Sequence, residues 1–165
     1  MLLGMNSGIF LLMRGRRRDA FTLIELMIVV GIIALLAVIA LPSFLRTRQR
    51  AQNAKFINAL RVASGAFDMY AMEHSSYPAD VNRAIVPPGM APYFGPSLDW
   101  TASTPIGGQW DWDKDVFSFK AGISVVSPAV SQQQLLDIDA MIDDGDLFTG
   151  HFQDKSSGRY TFILE

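Results

Sequence analysis

One long apolar run near the amino terminus dominates the pattern of apolar and polar positions. Residues 26–45 contain no charged side chain, and Glu25 stands at the start of the run. About twenty helical residues extend roughly 30 Å, which matches the thickness of a bilayer core. Pro42 removes one backbone hydrogen bond and predicts a kink or local melting at Val38–Pro42. We therefore predict a membrane-spanning helix over residues 21–45.

The helix is expected to resume after Pro42, because apolar residues then recur at alternating spacings of four and three. Such a stripe predicts one helix face that packs on a sheet. The stripe consists of Phe56, Leu60, Ala63, Phe67 and Tyr70. The opposite face carries Arg48, Gln52, Lys55 and Asn58. The helix should end just before Pro78, since proline disfavours helical geometry at the residue that precedes it.

Short alternating segments follow a Pro- and Gly-rich connection over residues 78–108, whose aromatic side chains indicate a packed loop. Residues 109–112 and 116–126 alternate and predict an antiparallel hairpin with a turn between them. One face of its second strand would carry Phe117, Phe119, Ala121, Ile123 and Val125.

Two further elements are predicted near the carboxyl terminus. Ser131 has the side chain of an N-cap and precedes a short amphipathic helix over residues 132–142. Residues 159–164 predict a last strand. The predicted fold class is therefore α+β, with a long amino-terminal helix packed on a small antiparallel sheet. We divide the chain into residues 1–20, 21–45 and a globular domain over 46–165.

Charge is distributed unevenly along the chain. Residues 1–20 carry four arginines and one aspartate, which favours a cytoplasmic amino terminus. A second basic block without any acid follows the apolar run and acts against this orientation, so the charges alone leave the orientation open. Beyond Arg61 there are five basic and fourteen acidic residues. This block consists of Arg46, Arg48, Arg50, Lys55 and Arg61. It is interpreted as a solvated face or a lipid-headgroup anchor, and no nucleic-acid partner is expected, because aromatic residues are not interleaved with it.

Glu25 is the candidate functional residue of the apolar segment, because carboxylates in hydrocarbon are costly and rare. A carboxylate in this position needs a cationic counter-charge. The alternative is a plain single-pass anchor whose Glu25 lies in the headgroup layer and reaches the interface.

The amino-terminal region combines a basic leader, a small residue, the run Phe21-Thr22-Leu23-Ile24-Glu25 and about twenty apolar residues. This combination resembles the amino terminus of type IV prepilins and type II secretion pseudopilins. The resemblance covers roughly residues 14–50. It implies that a prepilin peptidase cuts between Ala20 and Phe21 and N-methylates Phe21. The implied cut would free an amine on Phe21, four residues from Glu25, as the natural counter-charge of Glu25 within one subunit or between neighbours. The family usually has Gly where this chain has Ala20, and both residues are small. Pro42 also matches a proline that the family often carries.

The resemblance implies a filament subunit rather than an enzyme, with Glu25 and Pro42 in its assembly helix. Implied partners are the prepilin peptidase, other pilin or pseudopilin subunits, an inner-membrane assembly platform and membrane lipid. The implied location is the bacterial inner membrane, with a single span, a cytoplasmic amino terminus and a periplasmic globular domain. A type II secretion pseudopilin is favoured. The alternatives are a type IV pilus pilin and a membrane-tethered binding module that does not polymerise.

Residues 1–20 are predicted to be a leader that the peptidase removes. The stretch before Met13 is mostly apolar, unlike a short basic leader, so translation is interpreted as starting at Met13. The chain has no cysteine, so a disulfide and thiol chemistry are excluded. No catalytic motif occurs: there is no Gly-x-Ser-x-Gly, no phosphate-binding Gly loop and no His-Glu-x-x-His.

An acidic cluster after the predicted short helix is the one candidate for a cofactor. Crowded carboxylates on a loop can hold a hard cation such as calcium, although the spacing is not that of an EF-hand. Major pseudopilins bind calcium near their carboxyl-terminal loop, so the resemblance implies the same possibility here. The alternative is a solvated turn with no cofactor. The candidate ligands are Asp139, Asp143, Asp144 and Asp146.

Overall fold

The computed structural model describes residues 21–96, 98–156 and 158–165. It contains two helices and four strands in these residues, and the strands form one antiparallel sheet in the order β1-β2-β4-β3. The elements are α1 (Leu23–His74), β1 (Gln109–Lys114), β2 (Ala121–Val126), α2 (Gln132–Ile142), β3 (Phe152–Ser156) and β4 (Arg159–Ile163). The predicted α+β class, a long helix with a small antiparallel sheet, is confirmed.

The chain divides into two units, one that ends at Pro42 and one over Ser43–Glu165. In the first unit the described residues are almost entirely helical, and residues 38–42 are helical as well. Local melting at Val38–Pro42 is therefore absent from this structure. Pro42 still cannot donate to the carbonyl of Val38, because proline has no N–H.

The core of the second unit lies between α1 and the sheet, and aromatic side chains fill it. Phe67 stacks on Trp112 with 3.8 Å between ring centroids, and Phe56 stacks on Trp110 at 5.5 Å. Trp100, from the long connection, lies edge-on to Phe67 at 5.4 Å. The predicted stripe is thus confirmed as the buried face of α1, with Tyr70 half-buried at its end.

The second face of the sheet is also covered, which corrects part of the predicted hairpin. β1 extends to Lys114, beyond the predicted residue 112, and β2 begins only at Ala121. Asp115 and Phe117 both have φ of 55°, a left-handed value that ends an extended strand. The segment between the strands folds back, so Phe119 is buried against the sheet while Phe117 is 53% exposed.

This second face holds a buried ionic cluster. Arg159 on β4 pairs with Asp111 at 2.7 Å and with Asp113 at 2.6 Å, both on β1. Asp113 also accepts a hydrogen bond from Ser124. Burial raises the pKa of Asp111 to about 6 although Arg159 acts in the opposite direction. One guanidinium therefore neutralises two carboxylates on the second face of the sheet.

Two other elements near the carboxyl terminus can be compared with their predictions. Ser131 caps α2, since its Oγ accepts from the backbone N–H of Gln134 at 3.3 Å, as predicted. β3 was not predicted, because its sequence Phe-Gln-Asp-Lys-Ser has one apolar residue and no alternation. It is an edge strand, which needs only one partner, and it pairs with β4.

Candidate functional site

The amino-terminal end of α1 is closed by a reciprocal pair of side chains. Glu25 accepts hydrogen bonds from the backbone N–H of Thr22 at 2.8 Å and from the Thr22 hydroxyl at 2.7 Å. The Glu25 N–H in turn donates to the Thr22 hydroxyl at 3.3 Å. This arrangement is a capping box, in which both residues satisfy N–H groups that the first helical turn leaves without partners.

The capping box has two consequences for Glu25. The first is that Glu25 has a local partner, Thr22, which the sequence analysis missed. The Thr-x-x-Glu signal ahead of an apolar run would have found it. The second is that both hydrogen bonds to the carboxylate end on Oε2, which leaves Oε1 to accept from a further donor. Both capping residues also lie on the carboxyl side of the predicted Ala20–Phe21 cut and would survive it.

Almost every residue of the apolar segment is exposed in the single chain. Its large apolar side chains are between 49% and 78% exposed, from Phe21 to Phe44. This part of α1 is long and apolar enough to cross a membrane by length and composition. Such a surface requires lipid or other apolar helices around it, because exposed apolar area is unfavourable in water.

Three of the predicted site residues of this region are described and one is not. Phe21 is exposed ahead of the helix, Glu25 lies in the first turn, and Pro42 lies within α1. Ala20, the rest of the leader and the proposed start at Met13 lie outside the described residues.

The predicted acidic cluster lies at the end of α2 and on the turn that joins α2 to β3, and three of its four members come together. Oxygens of Asp139, Asp143 and Asp144 all lie within 4.8 Å of one another. Asp143 is the C-cap of α2 and accepts from the backbone N–H groups of Asp144 and His151. Asp146 is separate, because its carboxylate accepts from the N–H of Phe148 at 3.0 Å.

Asp139 distinguishes this cluster from an ordinary solvated turn. Its side chain is fully buried, and neither of its carboxylate oxygens has a hydrogen-bond partner among the described residues. Burial, reinforced by the charges of Asp143 and Asp144, raises the pKa of Asp139 to about 6. A buried carboxylate without a partner is costly, and a cation bound between the three residues would remove that cost.

Gly150 is a residue of this turn that the sequence analysis did not single out. Its φ is +70°, and a Cβ at this position would lie 2.4 Å from both carboxylate oxygens of Asp143. The glycine therefore allows the backbone to approach the Asp143 carboxylate closely. No pattern in the sequence points to this role, since the contact joins residues seven positions apart in a loop.

Comparison with known proteins places these features in a family. A family model described as the prokaryotic N-terminal methylation motif matches residues 15–41. Type II secretion system core protein G of Klebsiella pneumoniae is 35% identical over 63 residues, which are 38% of this chain and 45% of that protein. The protein of the same name from Vibrio cholerae is 35% identical over 63 residues, or 38% of this chain and 43% of that protein. The chain thus spans less than half the length of these relatives.

A longer match extends through the globular domain. The type IV wide pilus major component PilA4 of Thermus thermophilus is 30% identical over 134 residues, which are 68% of this chain and 96% of that protein. No solved structure matches the chain. The methylation motif, the exposed apolar helix with its glutamate and the match along nearly all of a pilin agree with one another. The chain belongs to the family of type IV prepilins and type II secretion pseudopilins.

Proposed function

We propose that this protein is a structural subunit of a pilus-like filament, and that the filament is the pseudopilus of a type II secretion system. The observation that carries the proposal is the apolar half of α1, in which nearly every residue is exposed in the single chain. Lipid would cover this surface before assembly, and the same segments of neighbouring subunits would cover it in the filament. The relatives named type II secretion system core protein G support the choice of system.

Glu25 would act as the assembly residue. After cleavage, the amine of Phe21 on a neighbouring subunit would be a donor for Oε1, while Thr22 of the same chain holds Oε2. A docking subunit would then gain by neutralising a carboxylate that is otherwise surrounded by hydrocarbon. Pro42 would contribute through the carbonyl of Val38, to which Pro42 cannot donate and to which a neighbouring helix could.

Processing between Ala20 and Phe21 is tested by the mass of the amino-terminal peptide of membrane-extracted protein. We expect a peptide that begins at Phe21 and is heavier than its sequence by one methyl group. The control is the same protein from cells without the prepilin peptidase, which should keep the leader and its four arginines. An intact leader in both strains would contradict the proposal and favour a tethered module that does not polymerise.

A type IV pilus pilin is the second candidate, because the match to PilA4 covers nearly all of that pilin. The two candidates differ in what a cell loses when the gene is deleted. A pseudopilin should be required for secretion of folded proteins into the medium, and surface fibres should persist without it. A pilin should be required for the fibres, with secretion unchanged. Complementation with the intact gene is the control in both cases.

We further propose that the α2–β3 turn binds calcium through Asp139, Asp143 and Asp144. Calcium takes six to eight oxygen ligands, so backbone carbonyls or water would complete the shell. The bound ion would supply charge compensation for Asp139 and would fix the turn that leads into β3. The buried oxygens of Asp139, which have no hydrogen-bond partner among the described residues, support this proposal over a solvated turn.

Calcium is expected to raise the melting temperature of the full-length protein in detergent by about 5–10 °C at saturation, since a ligand stabilises the state that binds it. Asp139→Asn should abolish this shift and should raise the melting temperature in chelator, because it removes a buried carboxylate. Asp137→Asn is the matched control, since Asp137 is exposed on the same helix. Equal melting temperatures with calcium and with chelator would refute the site.

A further inference from the structure

Four basic residues of α1 follow the apolar run and are called here the basic segment: Arg46, Arg48, Arg50 and Lys55. All four are exposed, and none of them forms an ion pair within the part of the chain that the structure describes. Cations beyond a membrane span oppose translocation when they lie on the exported side. We therefore expect these cations to have a function that offsets their unfavourable effect on translocation.

Three grooves among the described residues adjoin the basic segment, and the smallest, of about 350 Å³, contains Arg48 as its one cation. The other two differ in charge. One has a volume of about 490 Å³ and contains Arg46 and Arg50, but Asp137 also lines it and reduces its positive potential. The other has a volume of about 470 Å³ and lies between α1 and the loop at residues 103–105. It is called the Arg48 groove, and its lining residues are Arg48, Ala51, Gln52, Lys55, Ser103 and Pro105.

The Arg48 groove has the chemistry of a phosphate site. Two cations, the Gln52 amide and the Ser103 hydroxyl line it, and no carboxylate among the residues that the structure describes does so. Arginine binds phosphate oxygens in pairs through its planar guanidinium, and lysine adds a point charge. A zwitterionic headgroup would also bring its own ammonium into a groove that has no carboxylate to receive it. The composition therefore favours a headgroup with a net negative charge.

The loop side of the groove is held by backbone hydrogen bonds. Ser103 forms an isolated bridge with Gln109, the first residue of β1. The N–H of Thr104 donates to the carbonyl of Gly108 at 3.1 Å, and the N–H of Gly107 donates to the carbonyl of Thr104 at 2.9 Å. The hydroxyl of Ser103 is therefore presented from a closed turn rather than from a loose loop.

The position of the groove along α1 suits a lipid. Arg48 lies three residues past Leu45, the last residue of the apolar run, and Lys55 lies two helical turns further on the same face. Side chains on a helix lean toward its amino terminus, which is here the membrane side. Both cations would thus extend toward the headgroup layer, which begins where the apolar run ends.

We propose that the Arg48 groove binds the phosphodiester headgroup of an anionic phospholipid in the leaflet from which the globular domain emerges. The proposal rests on the membrane insertion of residues 21–45 that the proposed function includes. The bound lipid would hold the unassembled subunit at a fixed depth, and the subunit would have to leave this lipid when it enters a filament. The competing occupant is a carboxylate-bearing surface of a second copy.

Lipid binding in the groove is tested by native mass spectrometry of the full-length protein. The protein is released from mixed micelles of phosphatidylglycerol and phosphatidylcholine. We expect preferential retention of phosphatidylglycerol, and about a 30-fold weaker retention in Arg48→Gln/Lys55→Gln. The matched control is Arg61→Gln/Arg83→Gln, which also removes two exposed positive charges but leaves the groove intact. Equal far-ultraviolet circular dichroism spectra and melting temperatures would establish that both variants are folded.

Three outcomes would overturn the proposal. The first is equal retention of the two lipids by the unaltered protein. The second is an equal loss of phosphatidylglycerol in the groove variant and the control, which would indicate attraction by net charge alone. The third is a groove variant that retains phosphatidylglycerol but loses crosslinks between copies, which would assign the groove to a second copy. Flotation with phosphatidylcholine vesicles tests membrane insertion separately, so failure of the anchor is distinguishable from failure of the groove.

Discussion

Replacing Glu25 with Ala is expected to abolish filament assembly while membrane insertion persists. The apolar run that inserts is unchanged in this variant, and insertion becomes easier without a carboxylate. What is lost is the counter-charge for the amine of the incoming subunit. We expect at least a tenfold decrease in the sheared filament fraction relative to total membrane-bound subunit, measured by quantitative immunoblotting. The same Glu25→Ala protein should still float with membrane vesicles and resist extraction by alkaline carbonate.

Two further variants separate the charge of Glu25 from its capping role. Thr22→Ala removes the hydroxyl that donates to Glu25 but leaves the carboxylate in place. Glu25→Gln keeps a side-chain oxygen for the capping box but removes the charge. If Glu25 acts through its charge, Thr22→Ala should assemble and Glu25→Gln should not. Assembly of Glu25→Gln together with failure of Thr22→Ala would show that the residue serves only to start the helix.

Much of the fold can be predicted from the sequence where one physical signal dominates. The stripe from Phe56 to Tyr70 has the helical period, and each of its three aromatic side chains packs against an aromatic ring on the sheet or in the long connection. The N-cap at Ser131 is a local signal that needs no tertiary information. These features are fixed by neighbours in the sequence, and the structure agrees with them.

Features that depend on distant contacts could not be predicted in the same way. β3 has no apolar alternation, and it is a strand because β4 provides hydrogen-bonding partners for it. Residues 116–120 alternate like a strand, yet they fold over the outer face of the sheet. There Phe119 lies above Gly122, where a Cβ would come within 2.7 Å of its ring. Only the absence of a side chain at Gly122 allows this contact.

The candidate calcium site could also be predicted only in part from the sequence. The sequence shows several aspartates close together along the chain, but it does not show which of their carboxylates lie close together in space. Asp139 faces inward because it shares the buried side of α2 with Leu135 and Ile138. Asp146 instead closes a local turn through the N–H of Phe148. The helical period of α2 therefore brings Asp139 to the buried face, and the backbone of the following turn excludes Asp146.

Replacing Arg159 with Ala is expected to destabilise the globular domain by about 3 kcal/mol, which lowers its melting temperature by about 10 °C. The variant leaves Asp111 and Asp113 buried without their common counter-charge. Lys120→Ala is a control that also breaks one ion pair, that with Glu165, but both of its partners are more than half exposed. Screening by water makes such a pair weak, so this control should melt close to the unaltered protein.

The loss of stability in Arg159→Ala should come from the two buried carboxylates that lack a counter-charge, and not from the missing contacts of the Arg159 side chain. Adding Asp111→Asn and Asp113→Asn to Arg159→Ala should therefore restore most of the lost stability, because neutral amides are easier to bury than charges. A triple variant no more stable than Arg159→Ala alone would contradict this. It would mean that the guanidinium of Arg159, whose Cζ lies 5.8 Å from the centroid of the Phe117 ring, contributes through this contact instead.

The effect of pH on Arg159→Ala provides an independent check of the same mechanism. Burial raises the pKa of Asp111 to about 6 even with Arg159 present, from a reference value of 3.8. The folded state thus holds a proton on Asp111 that the unfolded state has released, so stability falls as the pH rises from about 4 to about 6. Without the guanidinium this pKa must rise further, which extends the fall to higher pH. The difference in melting temperature between Arg159→Ala and the unaltered protein should therefore be small at pH 5 and large at pH 8. A difference that does not depend on pH would show that the two buried carboxylates are not its cause.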